Sequence, residues 1–369
     1  MRVCILRLAT VVLASTWLAA NFAERSPAAE PAESAARGPS AKSPSPLHVM
    51  VRERTEKPLL ISDQPWEDYC IAYANVIREG DLWRMWYTAY DHTYRDDRDS
   101  CFCYAFSHDG VHWEKPNLGM KDYDGNRDNN ILVLGKAVGG LHGQSVFVDP
   151  AAPAVERVKM VYSTLVDSKW VVFGAHSAEG IGWFFDKQPL LTFNSDTQTV
   201  CIPDGKRYRL YVRMWTGGDF KGLRSVGYSE SSTFGNFKPP VQILAPDAAD
   251  PANMDFYNNA VTRLSPDRYL MFPSAFQHGK VADGKDTVVP HLAQSRDGRH
   301  FTHVGREPLL ALGHGFDSKG IYVCPGAVPG ERPGTWWFYY LGTDVGHDQG
   351  TPDKTHHAGG IGRFLLSVD

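Results

Sequence analysis

The chain is poor in the features that would name a chemistry at once. No spacing of cysteines and histidines resembles a zinc site. There is no glycine-rich phosphate loop and no serine nucleophile elbow, which excludes nucleotide-phosphate chemistry and the α/β-hydrolase type. No basic stripe appears, and the net charge is −4, so nucleic acid is not an expected partner. No segment carries a long amphipathic helical period, which leaves strands to build the core. The longest N-terminal apolar run, residues 9–20, falls short of the ~20 residues that span a membrane.

What is present begins with a leader. Arg2 and Arg7 precede that apolar run, and small residues follow with cleavage expected between residues 20 and 29. We read residues 1–23 as a signal peptide and expect a secreted or periplasmic protein, free of the membrane after cleavage and monomeric. Losing Arg2 and Arg7 takes the net charge from −4 to −6. Cys4 precedes the apolar stretch, so a lipoprotein signal is not supported. Residues 24–47, rich in Ala, Pro and Ser, read as a disordered tether. The cysteines beyond the leader are Cys70, Cys101, Cys103, Cys201 and Cys324, an odd number. Cys101 and Cys103 share a strand face. Cys70 either meets one of them across neighbouring strands or stays a buried thiol.

One phrase recurs. Ser107-His108-Asp109-Gly110-Val111-His112-Trp113 is followed by Lys115-Pro116-Asn117-Leu118. Ser177-Ala178-Glu179-Gly180-Ile181-Gly182-Trp183 leads to Pro189-Leu190-Leu191, and Ser295-Arg296-Asp297-Gly298-Arg299-His300-Phe301 leads to Pro308-Leu309-Leu310. A looser copy runs from Ser229 to Pro240. The chain ends at Ser367-Val368-Asp369, where a fifth copy would begin, and its missing ending, Lys57-Pro58-Leu59-Leu60, sits near the other terminus. Asp-Gly supplies the backbone angles of a hairpin turn, and the ring after it is expected to pack between repeats.

Before each phrase lies an aromatic, β-branched run, at residues 82–87, 158–162, 208–212, 269–272 and 336–340. A turn signal and a further apolar stretch precede most of these. The unit reads as four antiparallel strands. Five units, the last completed by the N-terminal strand, predict an all-β five-bladed β-propeller over residues 48–369. The aromatic strands start near residues 83, 158, 208, 269 and 336, and such uneven blades suit a propeller whose loops build a pocket.

In a propeller the side chains that reach the central funnel come from the starts of the innermost strands. That selects Trp66-Glu67-Asp68-Tyr69, His142-Gly143-Gln144, Asn194-Ser195-Asp196 with Gln198, Asp255-Phe256-Tyr257-Asn258, and Asp317-Ser318-Lys319. Four of the five places hold a carboxylate. Carboxylates crowded around one axis repel, so one holds its proton, which is the equipment of glycoside hydrolysis. The candidate catalytic residues are Glu67, Asp68, Asp196 and Asp255. The candidate substrate contacts are Trp66, His142, Gln144, Gln198, Tyr257 and Asp317. No metal ligand is expected and no cofactor, the one alternative being a structural calcium ion in the funnel. In Asp122-x-Asp124-Gly125-Asn126-x-Asp128 the glycine stands fourth, not sixth as in a calcium loop, so a solvated turn is expected. His347, His356 and His357 fall on a late loop, with His347 a candidate sugar contact.

The chain resembles the five-bladed propeller glycoside hydrolases of families 32, 43, 62, 68 and 117. It is most similar to secreted bacterial proteins related to the family 32 N-terminal domain. The phrases that carry this are Trp83-Arg84-Met85-Trp86-Tyr87, Trp113-x-Lys115-Pro116-x-Leu118-Gly119, Asn129-Asn130-Ile131, residues 193–198, Arg224-Ser225-Val226-Gly227-Tyr228-Ser229 and Phe316-Asp317-Ser318-x-Gly320-Ile321-Tyr322. The resemblance covers residues 48–369. It implies a carbohydrate substrate, a first-blade acid (Asp68 or Glu67) as base or nucleophile, a second Asp and a Glu acid. The chain departs from it in placing His142 where families 32 and 43 have Asp, and Asp196 where they have Glu. Family 32's Asn-Asp-Pro-Asn-Gly and Arg-Asp-Pro phrases are absent. A carbohydrate-binding propeller without catalysis is the rival reading.

Overall fold

The computed structural model describes residues 47–279, 286–347 and 359–369. The leader, most of the tether, and His356 and His357 lie outside the described residues. Contacts group residues 46–369 as one compact unit. Its described residues form strands joined by loops, with short 3-10 turns of three or four residues.

Three meanders are separate four-stranded antiparallel sheets. Strands β1 (Val49–Arg54) and β2 (Leu60–Ile61) precede them in the chain. The first sheet holds β3 (Cys70–Glu79), β4 (Leu82–Tyr90), β5 (Cys101–Ser107) and β6 (Ile131–Leu134). The second holds β7 (His142–Val148), β8 (Val158–Val166), β9 (Lys169–Ser177) and β10 (Phe184–Phe185). The third holds β11 (Val200–Pro203), β12 (Tyr208–Trp215), β13 (Arg224–Ser231) and β14 (Val241–Leu244). Three of the aromatic runs of the sequence fall on β4, β8 and β12, and the other two on the strands Arg268–Gln277 and Thr335–Thr343.

The remaining strands form one 11-stranded sheet. In it β15 (Met254–Ser265), β16 (Arg268–Gln277), β18 (Ala293–Ser295) and β19 (Thr302–His303) make a fourth meander. Strands β20 (Gly320–Val323), β22 (Thr335–Thr343), β23 (Gly360–Val368) and β1 make a fifth, with β21 (Val328–Pro329) beside β22. β17 (Thr287–Pro290) joins the two, antiparallel to β16 and bridged in parallel to β20. The N-terminal strand thus pairs with the C-terminal one, from Val49 opposite Val368 to Arg54 opposite Phe364, and Leu60 faces Ile361. Pairing hides an edge that would otherwise expose unsatisfied backbone groups.

The apolar side chains sort into five cores. One packs Trp86, Phe102 and Tyr104 against Val146, Met160 and Tyr162. The next packs Val161 and Val172 against Leu210 and Val212. The third joins Tyr211 and Tyr228 to Phe256 and Met271, and the fourth joins Leu270 and Phe272 to Ile321, Phe338 and Phe364. The fifth sets Met85, Tyr87 and Cys103 against Tyr339 and Ile361, so the last meander touches the first. Each aromatic ring buried this way contributes about 1.5–3 kcal/mol relative to exposure.

The recurring phrase stitches these layers. Ser107 Oγ accepts from the Gly110 N–H, and Asp109 Oδ1 accepts from the Val111 and His112 N–H groups, which closes the turn. Gly110 has a left-handed φ of 71°, and a Cβ there would meet Tyr339 Oη at 2.7 Å. Its carbonyl accepts from the Tyr339 hydroxyl of the preceding layer at 2.7 Å. Gly180 O takes the Trp86 indole N–H and Gly298 O the Tyr211 hydroxyl, each also at 2.7 Å. The ring that ends the phrase packs on the same neighbour: Trp113 on Tyr339, Trp183 on Phe102 and Phe301 on Tyr211.

The five cysteines among the described residues are unpaired. Cys70 lies on β3 opposite Tyr90 and Cys101 on β5 opposite Ala89, so β4 stands between them. This corrects the expectation that Cys70 could reach Cys101 or Cys103 across adjacent strands. Burial pushes the Cys70, Cys101 and Cys324 thiols up to about 12.

Candidate functional site

The starts of the inner strands surround a cavity of about 300 Å³. It is lined from all five meanders: by Tyr69 to Tyr73 of the first, His142, Gln198, Tyr257 with Asn258, and Tyr322 with Cys324; Tyr90, Tyr94 and His347 complete the wall. Three inner strands break their ladder there, between Ala72 and Asn75, His142 and Ser145, and Phe256 and Asn259. A bulge re-aims the side chains beside it. In β7 the left-handed residue is Gly143, where a Cβ would meet the Thr197 backbone at 2.5 Å. In β3 that conformation falls on Tyr73, at φ 50°. A bulky residue held there is strained, and such strain gathers at functional sites.

His142 sits in the cavity wall with both ring nitrogens engaged. Nδ1 lies 3.0 Å from Asp97 Oδ1, and Nε2 lies 3.1 Å from the Asp196 carbonyl and 3.3 Å from the Tyr73 hydroxyl. Its ring also leans on Trp170 at 4.8 Å. The arrangement fixes the 196 segment against the first two sheets.

Beside the cavity stand two arginine–carboxylate pairs. Arg213 Nη1 donates to Asp196 Oδ1 at 2.8 Å, and the same guanidinium donates to the Tyr257 carbonyl while lying 4.3 Å from the Tyr257 ring. Burial opposes the Arg213 cation, but Tyr257 and Asp196 outweigh it and keep the group charged. Asp196 Oδ2 has no hydrogen-bond partner among the described residues, and the side chain is partly exposed. Arg224 Nη1 donates to Asp255 Oδ2 at 3.0 Å, with His278 Nε2 3.2 Å from the same oxygen. The Arg224 guanidinium lies among the rings of Trp215, Tyr257 and Phe276.

His347 completes the mouth. One side is open to solvent, and the other packs on Tyr257, ring centroids 4.1 Å apart, with Nδ1 3.1 Å from the Tyr322 hydroxyl. Burial, then the charges of Arg213 and Arg224, pull the imidazole down to about 4. It is neutral at physiological pH.

The other candidates lie elsewhere. Glu67 is fully buried, 2.5 Å from the Tyr87 hydroxyl and 2.5 Å from Lys115 Nζ, and burial raises its pKa although Lys115 and Tyr87 oppose the shift. Trp66 is buried as well, with its indole N–H donated to Asn130 Oδ1 at 3.0 Å. Both are part of the first sheet's packing, not of the cavity lining, which corrects the expectation that they face the funnel. Asp68 is half exposed and paired with His92 Nδ1 at 2.6 Å. It too does not line the cavity. Gln144 is buried, accepting from Thr88 Oγ1 and donating to the Tyr73 carbonyl, so it ties sheets together. Gln198 lines the cavity and donates to the Gln144 carbonyl. Asp317 is not on the funnel wall: it accepts from Tyr340 at 2.9 Å and pairs with Arg54 of β1, where the two chain ends meet. Among the described residues no group of three His, Cys, Asp or Glu is placed to hold a metal ion.

Sequence reasoning missed Arg213, Arg224, Asp97 and Tyr73. The signal for Arg213 is legible in retrospect. It sits between Val212 and Met214 in the buried part of a strand whose other charge, Arg209, stands near its start, and a buried charge requires a partner.

No protein-family model and no curated protein sequence matches the chain. Solved structures do. One described as a glycoside hydrolase is 17% identical, with a TM-score of 0.56 over 85% of this chain and 92% of that one. An N-acetylgalactosamine deacetylase from F. plautii, in complex with blood group B trisaccharide, is 16% identical, with a TM-score of 0.58 over 86% and 95%. A glycoside hydrolase of the GH130 family of mannoside phosphorylases is 13% identical, with a TM-score of 0.56 over 85% and 92%. At these identities the likeness concerns the fold alone.

Proposed function

We propose that the protein is a secreted, closed five-bladed β-propeller that binds a carbohydrate in the funnel cavity and hydrolyses it there. The ring reading rests on the five cores, the last of which joins the fifth meander to the first, and on the pairing of β1 with β23. Deleting residues 48–60 is expected to lower the melting temperature by roughly 10 °C or more. A thermal scan showing no change would refute closure by that strand.

The functional reading rests on one observation. A concave site rich in tyrosine and histidine, with two arginine–carboxylate pairs at its edge, sits where the strand starts converge. Asp196, through its unengaged Oδ2, is the group we assign as base or nucleophile. His347, neutral down to about pH 4, accepts or donates a hydrogen bond to a sugar hydroxyl. His142 positions the 196 segment rather than touching substrate.

A second reading, a propeller that binds glycans without cleaving them, is favoured by a specific observation. No carboxylate lines the cavity among the described residues; Asp196 and Asp255 are paired with arginines, and Asp97 is held by His142. A glycan panel scored for binding, for released reducing ends and for released acetate separates the readings. Reducing ends support glycoside hydrolysis. Acetate from N-acetylated sugars redirects the chemistry to deacetylation, and binding alone supports the second reading.

A further inference from the structure

The loop between β12 and β13 carries a feature that neither the fold nor the cavity uses. β12 runs antiparallel to β11 with Val200 opposite Tyr211, so its last residues extend past the start of β11 on the cavity side. Residues 216–223 therefore lie on the face that carries the cavity. The loop is tight, with Gly217 N–H bonded to the Lys221 carbonyl and Lys221 N–H to the Gly218 carbonyl. At its tip Phe220 adopts φ 56°, a conformation that a bulky side chain takes only at a cost, and its side chain is 45% exposed. Leu223 beside it is 36% exposed.

Left-handed strain at a half-exposed aromatic residue is a cost to folding. Glycine would relax the backbone, and a polar residue would spare the apolar exposure. The ring is also connected to the cavity. Phe220 lies 5.5 Å from Trp215, Trp215 lies 4.9 Å from the Arg224 guanidinium, and Arg224 lies 5.4 Å from the ring of Tyr257 in the cavity wall.

We infer that Phe220, backed by Trp215 and flanked by Leu223, is an outer sugar subsite. It takes a further unit of the glycan whose end occupies the cavity, by stacking against the apolar face of the sugar ring. The inference rests on the carbohydrate reading above and adds that the ligand is an oligosaccharide or polysaccharide rather than a single sugar. Continuity with the cavity favours the same chain as the occupant over a separate ligand.

The test uses the full protein, a glycan that the panel shows to bind, and its monosaccharide end unit. Calorimetric affinities are compared for the wild-type protein, Phe220→Gly and Phe220→Ser. Phe220→Gly is expected to weaken binding of the oligosaccharide roughly tenfold. It should leave the monosaccharide within twofold and the melting temperature unchanged or raised. Phe220→Ser should show the same affinity split. Equal affinity for the oligosaccharide in all three proteins overturns the subsite and leaves the cavity assignment standing. An equal loss on both ligands places Phe220 in the cavity itself and overturns an outer role. A fall in melting temperature for Phe220→Gly shows that the ring serves folding, which also overturns it. A wild-type protein that binds no glycan in the panel removes the inference together with the reading beneath it.

Discussion

The two walls of the funnel start from the same material and use it in opposite ways. In the first sheet Glu67 and Asp68 precede the inner strand β3; in the third and fourth meanders Asp196 and Asp255 stand at the starts of β11 and β15. The difference lies in where the counter-cation sits. Lys115, five residues past Gly110, reaches back to Glu67 and holds it inside the sheet, where the Tyr87 hydroxyl donates to its other oxygen. Arg213 and Arg224 instead come from β12 and β13, whose cavity-side ends hold Asp196 and Asp255 beside the mouth. The wall of the first sheet is then left to tyrosines, Tyr69, Tyr73, Tyr90 and Tyr94. A carboxylate at a strand start turns into the sheet or stays beside the cavity according to the strand that supplies its partner.

The comparison can be broken on either side. The largest effect is expected at Asp196. Asp196→Asn should cut turnover on any cleaved glycan by about 10²–10⁴-fold, measured by reducing-end release on the folded protein, and should also lower the melting temperature, because it leaves the buried Arg213 cation without its carboxylate. On the opposite wall the effect should fall on stability. Lys115→Met strands a buried Glu67 charge and should cost about 3–5 kcal/mol in urea unfolding, with binding affinity preserved in the protein that remains folded. If the Lys115 variant instead binds glycan poorly at full stability, Glu67 belongs to the site and the two walls are alike.

Smaller and more diagnostic is the pH response of His347. Its folded pKa is depressed, so the folded state takes up a proton only as pH falls through about 4, whereas the unfolded chain takes one near 6.5. Stability carried by the neutral ring is complete above about 6.5 and is lost progressively toward 4. Glycan affinity should hold from pH 7 to 5 and drop near 4, and His347→Gln should remove that drop. An acid limb near 6.5 in the wild-type protein would mean that the imidazole is neither buried nor under the charges of Arg213 and Arg224.

Much of the architecture was legible in the sequence. The five aromatic runs are the second strands of their meanders, and the split fifth phrase corresponds to β1 and β2 pairing with β23. These readings succeed because period-2 alternation and Asp-Gly turns are local signals. The site was legible only in position. The rule of strand starts located His142, Gln198 and Tyr257 in the cavity wall and Asp196 and Asp255 beside it. It could not tell that Glu67 and Trp66 turn inward or that Asp317 is drawn to Arg54, because those outcomes depend on partners 48, 64 and 263 residues away. The bulge that aims Tyr73 was equally hidden, since nothing in Ala72-Tyr73-Ala74 announces a left-handed residue.

The central claim is that the reactive wall is the one held by arginines. Its most direct test is turnover of Asp196→Asn and Asp68→Asn side by side on one glycan cleaved by the wild-type protein. The account predicts a loss of at least about 10²-fold for Asp196→Asn and less than twofold for Asp68→Asn. The reverse order, with Asp68 essential and Asp196 dispensable, would contradict it.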